Sequence, residues 1–254
     1  MRRFAHLLAG FGALLLAACG GGPGAPAKKQ PEPQYGFPAA DRPVATIVSA
    51  RWSNEEARDR LNEAEAVMNR AGIKPGMTVA DIGAGEGYYT IRLATRVGKE
   101  GRVLAEDIVP EVRDALATRV SRERLDNVSV RLGLPADPRL PENSFDRILM
   151  VHMYHEIESP YEFLWRLRPS LNQAGQVVVV DADRPTANHG TPPALLKCEF
   201  AAVGYSQVAM QPMPSAGGYI AIFEAHGERP EPQTIKACKS VVTPEPTAAP
   251  TTEN

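Results

Sequence analysis

The stretch Asp81-Ile82-Gly83-Ala84-Gly85-Glu86-Gly87 follows an apolar run over 77–82 and precedes a helical pattern over 88–97. A buried strand that passes through alternate glycines into a helix lets backbone approach a ligand closely, and the helix start offers unpaired N–H groups. Two nucleotide-binding plans compete for such a loop. The dinucleotide fingerprint needs glycine at offsets zero, two and five, which here fall on Gly83, Gly85 and Tyr88. The third glycine is missing, which counts against a nicotinamide enzyme. A phosphate-binding loop needs Gly-Lys-Ser/Thr, and none follows.

Around the loop, strand and helix patterns alternate. Residues 54–71 have an acidic start and apolar positions at Leu61, Ala64, Val67 and Met68, which predicts one helix. Strands are expected at 77–82, 102–108, 128–132, 145–152 and 176–182, and further helices at 88–97, 111–120, 161–171 and 193–203. The run Val177-Val178-Val179-Val180 is apolar on both faces, as buried parallel strands are. Strands at 206–213 and 218–225 form a hairpin through Pro214-Ser215-Ala216-Gly217. The sum is an α/β three-layer sandwich, Rossmann-like, with a mostly parallel seven-stranded sheet and an antiparallel C-terminal hairpin. Right-handed crossovers gather the loops after the parallel strands on one edge, where such sheets bind ligands.

The ends read differently. Arg2 and Arg3 precede an apolar run over 7–18 and then Cys19, the form of an export signal. That run falls short of the about 20 apolar residues a membrane span needs. Residues 19–44 read as a flexible tether and 228–254, rich in Pro, Thr and Glu, as a disordered tail, leaving a domain over 45–227. The net charge of −2, with no block of five Lys/Arg, excludes a nucleic-acid footprint. Cys198 and Cys238 are open to two readings. An oxidising compartment permits a disulfide, whereas the place of Cys238 in the tail suits two free thiols equally.

The spacing Asp81-x-Gly83-x-Gly85-x-Gly87 resembles the first motif of the class I S-adenosylmethionine-dependent methyltransferases. The resemblance implies S-adenosyl-L-methionine as cofactor, held by Asp81, Gly83, Ala84, Gly85 and Gly87, with Asp81 neutralising its ammonium group. In GRVLAEDIVPEV, Asp107 matches the acid that takes the ribose hydroxyls; Glu106, one position off and facing the other side, ranks second. In GLPADPRLPENSFDRI, Asp137 matches the adenine-side acid and Asp146 a structural one. GQVVVVDAD matches the fifth strand, with Ala174-Gly175 where the family has Gly-Gly. Leu16-Ala17-Ala18-Cys19 resembles the lipobox of bacterial lipoproteins. That implies a signal peptide over 1–18, lipid on Cys19 and, with Gly20 following, anchoring on the periplasmic side of the outer membrane.

Met150-Val151-His152-Met153-Tyr154-His155-Glu156 lies where this family lines its substrate pocket. His155 or His152 is the expected general base, with Glu156 orienting an imidazole and Tyr154 contacting the substrate. Metal chelation by His152, His155 and Glu156 would need a helical turn and a ligand from elsewhere, and no metal is expected. Tyr88 and Tyr89 either cover the cofactor's methionine arm or pack on the sheet. Arg51 and Trp52 are candidates for a cover over the site, and His189 with Gly190 for an approach from its other side. No Asn-Pro-Pro-Tyr or Pro-Cys motif follows the fourth strand, so the signatures for amide or base nitrogen and for cytosine carbon are missing. The expected function is methyl transfer to a small molecule. The alternative is a non-catalytic lipoprotein that binds S-adenosylmethionine or a nucleoside and has kept the fold, because the donor is made in the cytosol.

Overall fold

Residues 36–47 and 54–239 are described by the computed structural model. The signal, Cys19, most of the tether, and Arg51 with Trp52 lie outside the described residues. In chain order the elements are α1 (Glu55–Arg60), α2 (Glu63–Arg70), β1 (Thr78–Ile82), α3 (Tyr88–Val97), β2 (Arg102–Asp107), α4 (Pro110–Arg122) and β3 (Val128–Leu132). There follow β4 (Phe145–Val151), α5 (Pro160–Leu167), β5 (Leu171–Asp181), α6 (Pro193–Ala202), β6 (Tyr205–Met213) and β7 (Gly218–Ala225). One seven-stranded sheet runs β3-β2-β1-β4-β5-β7-β6, and only β7 is antiparallel to its neighbours. The predicted sandwich and its terminal hairpin are therefore present.

The strand alternation explains why the central strands are apolar throughout. Val79, Leu149, Val178 and Val180 face α2 and α3, where Val67, Met68, Leu93 and Val97 pack. Ala80, Ile148, Met150, Val177 and Val179 face α5 and α6 and meet Phe163, Leu164, Leu196 and Phe200. Helix α4 covers β2 through Leu116 and Val120 on Ala105. Each fully buried valine or leucine contributes about 1.5–3 kcal/mol, so this two-sided burial is the main stabilising force. Among the described residues no helix is long and apolar enough to cross a membrane.

Two helix expectations need correction. The helix over 54–71 is two helices, because Asn62 adopts a left-handed conformation (φ 54°) and Leu61 turns out to solvent. Arg58 folds back onto Glu63 across that break, with Nη2–Oε1 at 2.5 Å. Helix α5 stops at Leu167, short of 171, because Pro169 has no N–H to continue it; a 3-10 turn (Arg168–Ser170) then leads directly into β5.

Both domain boundaries also move outward. In the segment 36–47, which includes the end of the expected tether, Phe37 meets Trp165 edge-on at 5.5 Å and Arg42 is buried against Glu199 at 2.8 Å. At the other end, residues 228–239 are ordered where a disordered tail was expected. Trp165 Nε1 donates to the Pro230 carbonyl (2.9 Å), Ile235 is buried, and Cys238 is bonded to Cys198 across a Cα–Cα distance of 6.0 Å. The half-cystines are 40 residues apart, so the bond closes a sizeable loop in the unfolded chain. Reduction should cost about 2–4 kcal/mol of stability, read as a shift of the urea midpoint with and without reductant. An unchanged midpoint would show that the bond adds nothing to what packing already holds.

Candidate functional site

The glycine loop lies at the carboxyl end of β1, between β2 and β4. Gly83, Gly85 and Gly87 all have positive φ (65°, 55° and 90°), a backbone path that disfavours any side chain. A Cβ on Gly87 would also stand 2.5 Å from Leu116 Cδ1. The loop is pinned to the end of β2: Ala84 N donates to the Glu106 carbonyl at 2.9 Å and Gly85 N to Asp107 Oδ2 at 3.0 Å. Asp107 Oδ1 accepts from Val109 N at 2.9 Å, so this carboxylate fixes both the loop and the entry to α4.

Three acids are buried around the loop: Asp81, Glu106 and Asp107. Burial pushes Asp81 up to about 6, although the Thr90 hydroxyl donates to it at 2.6 Å. Burial, and next the Asp107 charge, push Glu106 up to about 8. Among the described residues none of the three has an arginine, lysine or histidine within ion-pair distance. Glu106 Oε1 is buried without a hydrogen bond, and a Cβ on Gly133 would fall 1.5 Å from it, so Gly133 is the glycine that gives this carboxyl its place. Glu106 thus belongs to the same acidic cluster as Asp107, despite its position on the other face of the strand. Such a cluster suits a ligand bearing positive charge and hydroxyl donors, and S-adenosylmethionine carries a sulfonium, an ammonium and a ribose diol.

These shifts have a consequence for stability. An acid whose folded-state pKa is raised binds more protons folded than unfolded between the two values. The ligand-free domain should therefore lose stability as pH rises from about 4 to about 8. Denaturation at pH 5 and pH 8 measures this. Equal or greater stability at pH 8 would mean that the acids are neutralised by something else.

Asp137 is in the loop after β3 on the same side, and its charge bears on Glu106. Its Oδ1 accepts from Arg139 N at 2.8 Å, and its Oδ2 lies 3.8 Å from Arg166. Asp146 Oδ2 accepts from Thr78 N and Oδ1 from Asn172, joining β1 to the start of β5 in the structural role expected. Tyr88 and Tyr89 take the packing role: their hydroxyls donate to Asp59 (3.0 Å) and Glu63 (2.9 Å), and Arg58 stacks 3.7 Å over Tyr88. Helix α1, which buries none of its residues, is held largely by charge, to α3 through Arg92–Asp59 and to α4 through Arg119–Glu55, each at 2.5 Å.

After β4 the chain turns through His152 at φ 53° and forms a 3-10 turn (Tyr154–Glu156). Met153 reaches back to Gly83, so this turn adjoins the loop. Tyr154 is not a substrate contact. It is fully buried and donates to Glu199 Oε2 at 2.7 Å, with the Arg42 guanidinium 5.5 Å from its ring. The partner of His155 Nδ1 is not Glu156. That partner is Asp181, at the end of β5, whose two oxygens are each 3.1 Å from His155 Nδ1. Asp181 also accepts from Ala182 N (2.8 Å) and the Thr191 hydroxyl (2.7 Å), so its charge is satisfied and its position fixed. Nδ1 faces carboxylate oxygens alone and so carries a proton; Nε2 is buried and without a hydrogen bond. His152 is held below its ordinary pKa by burial. His189, on the turn after β5, meets His155 edge-on at 5.5 Å. An open cleft lined by Ala182, Asp183, Arg184, Met210 and Tyr219 lies at the antiparallel edge, next to Asp181.

Residues 79–175 match the family model described as methyltransferase domain. Nocamycin O-methyltransferase of Saccharothrix syringae is 41% identical over 73 residues, covering 29% of this chain and 26% of that protein. Arsenite methyltransferase of Halobacterium salinarum is 27% identical over 66% of this chain and 48% of its own length. The ubiquinone/menaquinone biosynthesis C-methyltransferase UbiE of Hydrogenovibrio crunogenus is 29% identical over 61% and 57%. The chain thus spans less than two thirds of each of these relatives. A crystal structure of an S-adenosylmethionine-dependent methyltransferase from Aquifex aeolicus overlays with a TM-score of 0.58 at 23% identity, over 68% of this chain and 97% of that one. The [4+2]-cyclase SpnF overlays with a TM-score of 0.57 at 16% identity, over 75% and 89%, so the fold alone does not fix the reaction. With the sheet order and the glycine loop in agreement, residues 79–175 are similar to methyltransferase domains, and the fold is the Rossmann-like one of the class I, S-adenosylmethionine-dependent methyltransferases.

Proposed function

We propose that the chain transfers a methyl group from S-adenosylmethionine to a small-molecule acceptor, as a lipoprotein on the periplasmic side of the outer membrane. The observation that carries the enzyme reading is the positive-φ loop from Gly83 to Gly87 set among buried acids with no paired cation. The bound cofactor supplies an electrophilic methyl group on sulfur. Asp81 serves its ammonium end, the backbone of Gly83, Ala84, Gly85 and Gly87 its body, Asp107 with Glu106 its ribose, and Asp137 its adenine. The relatives' names span oxygen, arsenic and carbon acceptors, so no acceptor atom is carried over from them.

The group proposed for proton transfer is His155, with Nδ1 fixed by Asp181 and Nε2 buried but without a hydrogen bond. Replacing His155 with Asn should lower methyl transfer by about 100-fold or more, the usual worth of a positioned proton acceptor, while cofactor affinity stays within a few-fold. The assay is transfer of labelled methyl from S-adenosylmethionine into the small-molecule fraction of an envelope extract, with a melting curve to verify folding. Equal transfer by a folded variant would remove His155 from the chemistry.

The address rests on Arg2-Arg3, the apolar run and Leu16-Ala17-Ala18-Cys19, and the Cys198–Cys238 bond adds support because disulfides persist in oxidising compartments. Cys19→Ala should release the protein from the membrane fraction; unchanged fractionation would contradict lipid anchoring. The same disulfide favours a second reading, a binding lipoprotein without turnover, since the methyl donor is made in the cytosol. Cofactor binding without any formation of S-adenosylhomocysteine would select it.

A further inference from the structure

His155, Glu156 and His189 each offer a ligand atom, and these atoms lie within 4.8 Å of one another. His155 and Glu156 are neighbours on the 3-10 turn after β4; His189 arrives from the turn after β5, at φ 56°. We infer that these three side chains form a binding site for a divalent first-row transition-metal cation beside the glycine loop.

Three features carry this. First, Asp181 engages Nδ1 of His155, so the atom left to offer is Nε2, which is fully buried yet has no hydrogen bond. A buried nitrogen lone pair with no donor is costly unless something occupies it. Second, the arrangement of Asp181 behind His155 is the outer carboxylate that ligating histidines almost always have, fixing the tautomer and raising the basicity of the metal-facing nitrogen. Asp181 is itself held by Ala182 N and the Thr191 hydroxyl, so the support extends one layer further. Third, two imidazoles and a carboxylate are the donor set that suits zinc, iron and their neighbours rather than calcium or magnesium.

Ligand atoms of a tetrahedral zinc site stand about 3.3 Å apart, given bonds of about 2.0–2.2 Å. Closing from 4.8 Å therefore asks for side-chain rotation. Glu156 and His189 are only partly buried, whereas His155 is fully buried and held by Asp181. Three protein ligands leave a position open, as in catalytic rather than structural zinc sites. Occupancy would take the Nε2 lone pair, and the acceptor-side group would then be the ion. The site stands on its own geometry and does not depend on the methyl-transfer reading.

The test uses the full chain stripped with chelator and titrated calorimetrically with zinc alone. One ion per chain is expected. His189→Ala and Glu156→Gln, both at partly buried positions that should fold, are each expected to weaken binding by more than about 100-fold, beyond the range for loss of an outer partner. His226→Ala, at an exposed position, should bind as the parent does. No stoichiometric binding, or binding that survives both ligand substitutions, would overturn the inference. Titration of the same metal-free chain with S-adenosylmethionine separates this failure from failure of the proposed function.

Discussion

Asp107→Ala should weaken S-adenosylmethionine binding by about 30- to 100-fold. The side chain does two things at once. It accepts from Gly85 N and Val109 N, holding the loop in shape, and it keeps acceptor capacity on the face proposed to meet the ribose. Charge-assisted hydrogen bonds of this kind are worth about 1.5–3 kcal/mol each, and tenfold in affinity is about 1.4 kcal/mol. Calorimetry on parent and variant measures it. Unchanged affinity would pass the ribose role to Glu106, whose unpaired Oε1 sits in the same cluster.

Glu199→Ala should destabilise the domain by about 3–5 kcal/mol. Glu199 on α6 receives Arg42 Nε at 2.8 Å and the Tyr154 hydroxyl at 2.7 Å, and the side chains of Arg42 and Glu199 have no exposed surface. Removing one partner leaves a guanidinium buried with its charge uncompensated, which is the costly way to break such a pair. Carbonyls of His155 and Ile157 still accept from Arg42, so part of its requirement remains met. Urea unfolding gives the value; a loss below about 1 kcal/mol would mean that Arg42 escapes to water in the variant. Arg42→Met together with Glu199→Leu should recover much of the loss, because both charges then leave the interior.

The two predictions differ in how far the sequence could have foreseen them. Asp107 was legible because local order carries it: a strand, a glycine loop and an acid at the next strand's end are short-range patterns, and so were the seven strands themselves. The Arg42–Glu199 contact spans 157 positions and Tyr154–Glu199 spans 45, and no local pattern marks either. Tyr154 accordingly read as a pocket residue although its hydroxyl is spent in the core. Asp181 is an intermediate case. A lone carboxylate ending the run Val177-Val178-Val179-Val180 at the ligand-binding edge was a usable signal, and it marks the partner of His155 Nδ1. The C-terminal segment misled for a compositional reason. Pro-, Thr- and Glu-rich chain reads as disordered, yet 228–239 is held by a disulfide and by Trp165, whose partners lie at distant positions. The break at Asn62 likewise follows from the Arg58–Glu63 pair and the tyrosines of α3 rather than from helix propensity.

The acidic loop makes the account's central claim, that this chain holds S-adenosylmethionine, directly measurable. Calorimetric titration of the full chain with S-adenosylmethionine and S-adenosylhomocysteine at pH 8 should show one site per chain for each. Protons should be released on binding, because a cationic ligand lowers the raised pKa of Glu106. The absence of any binding heat and of any melting shift at millimolar ligand would contradict it.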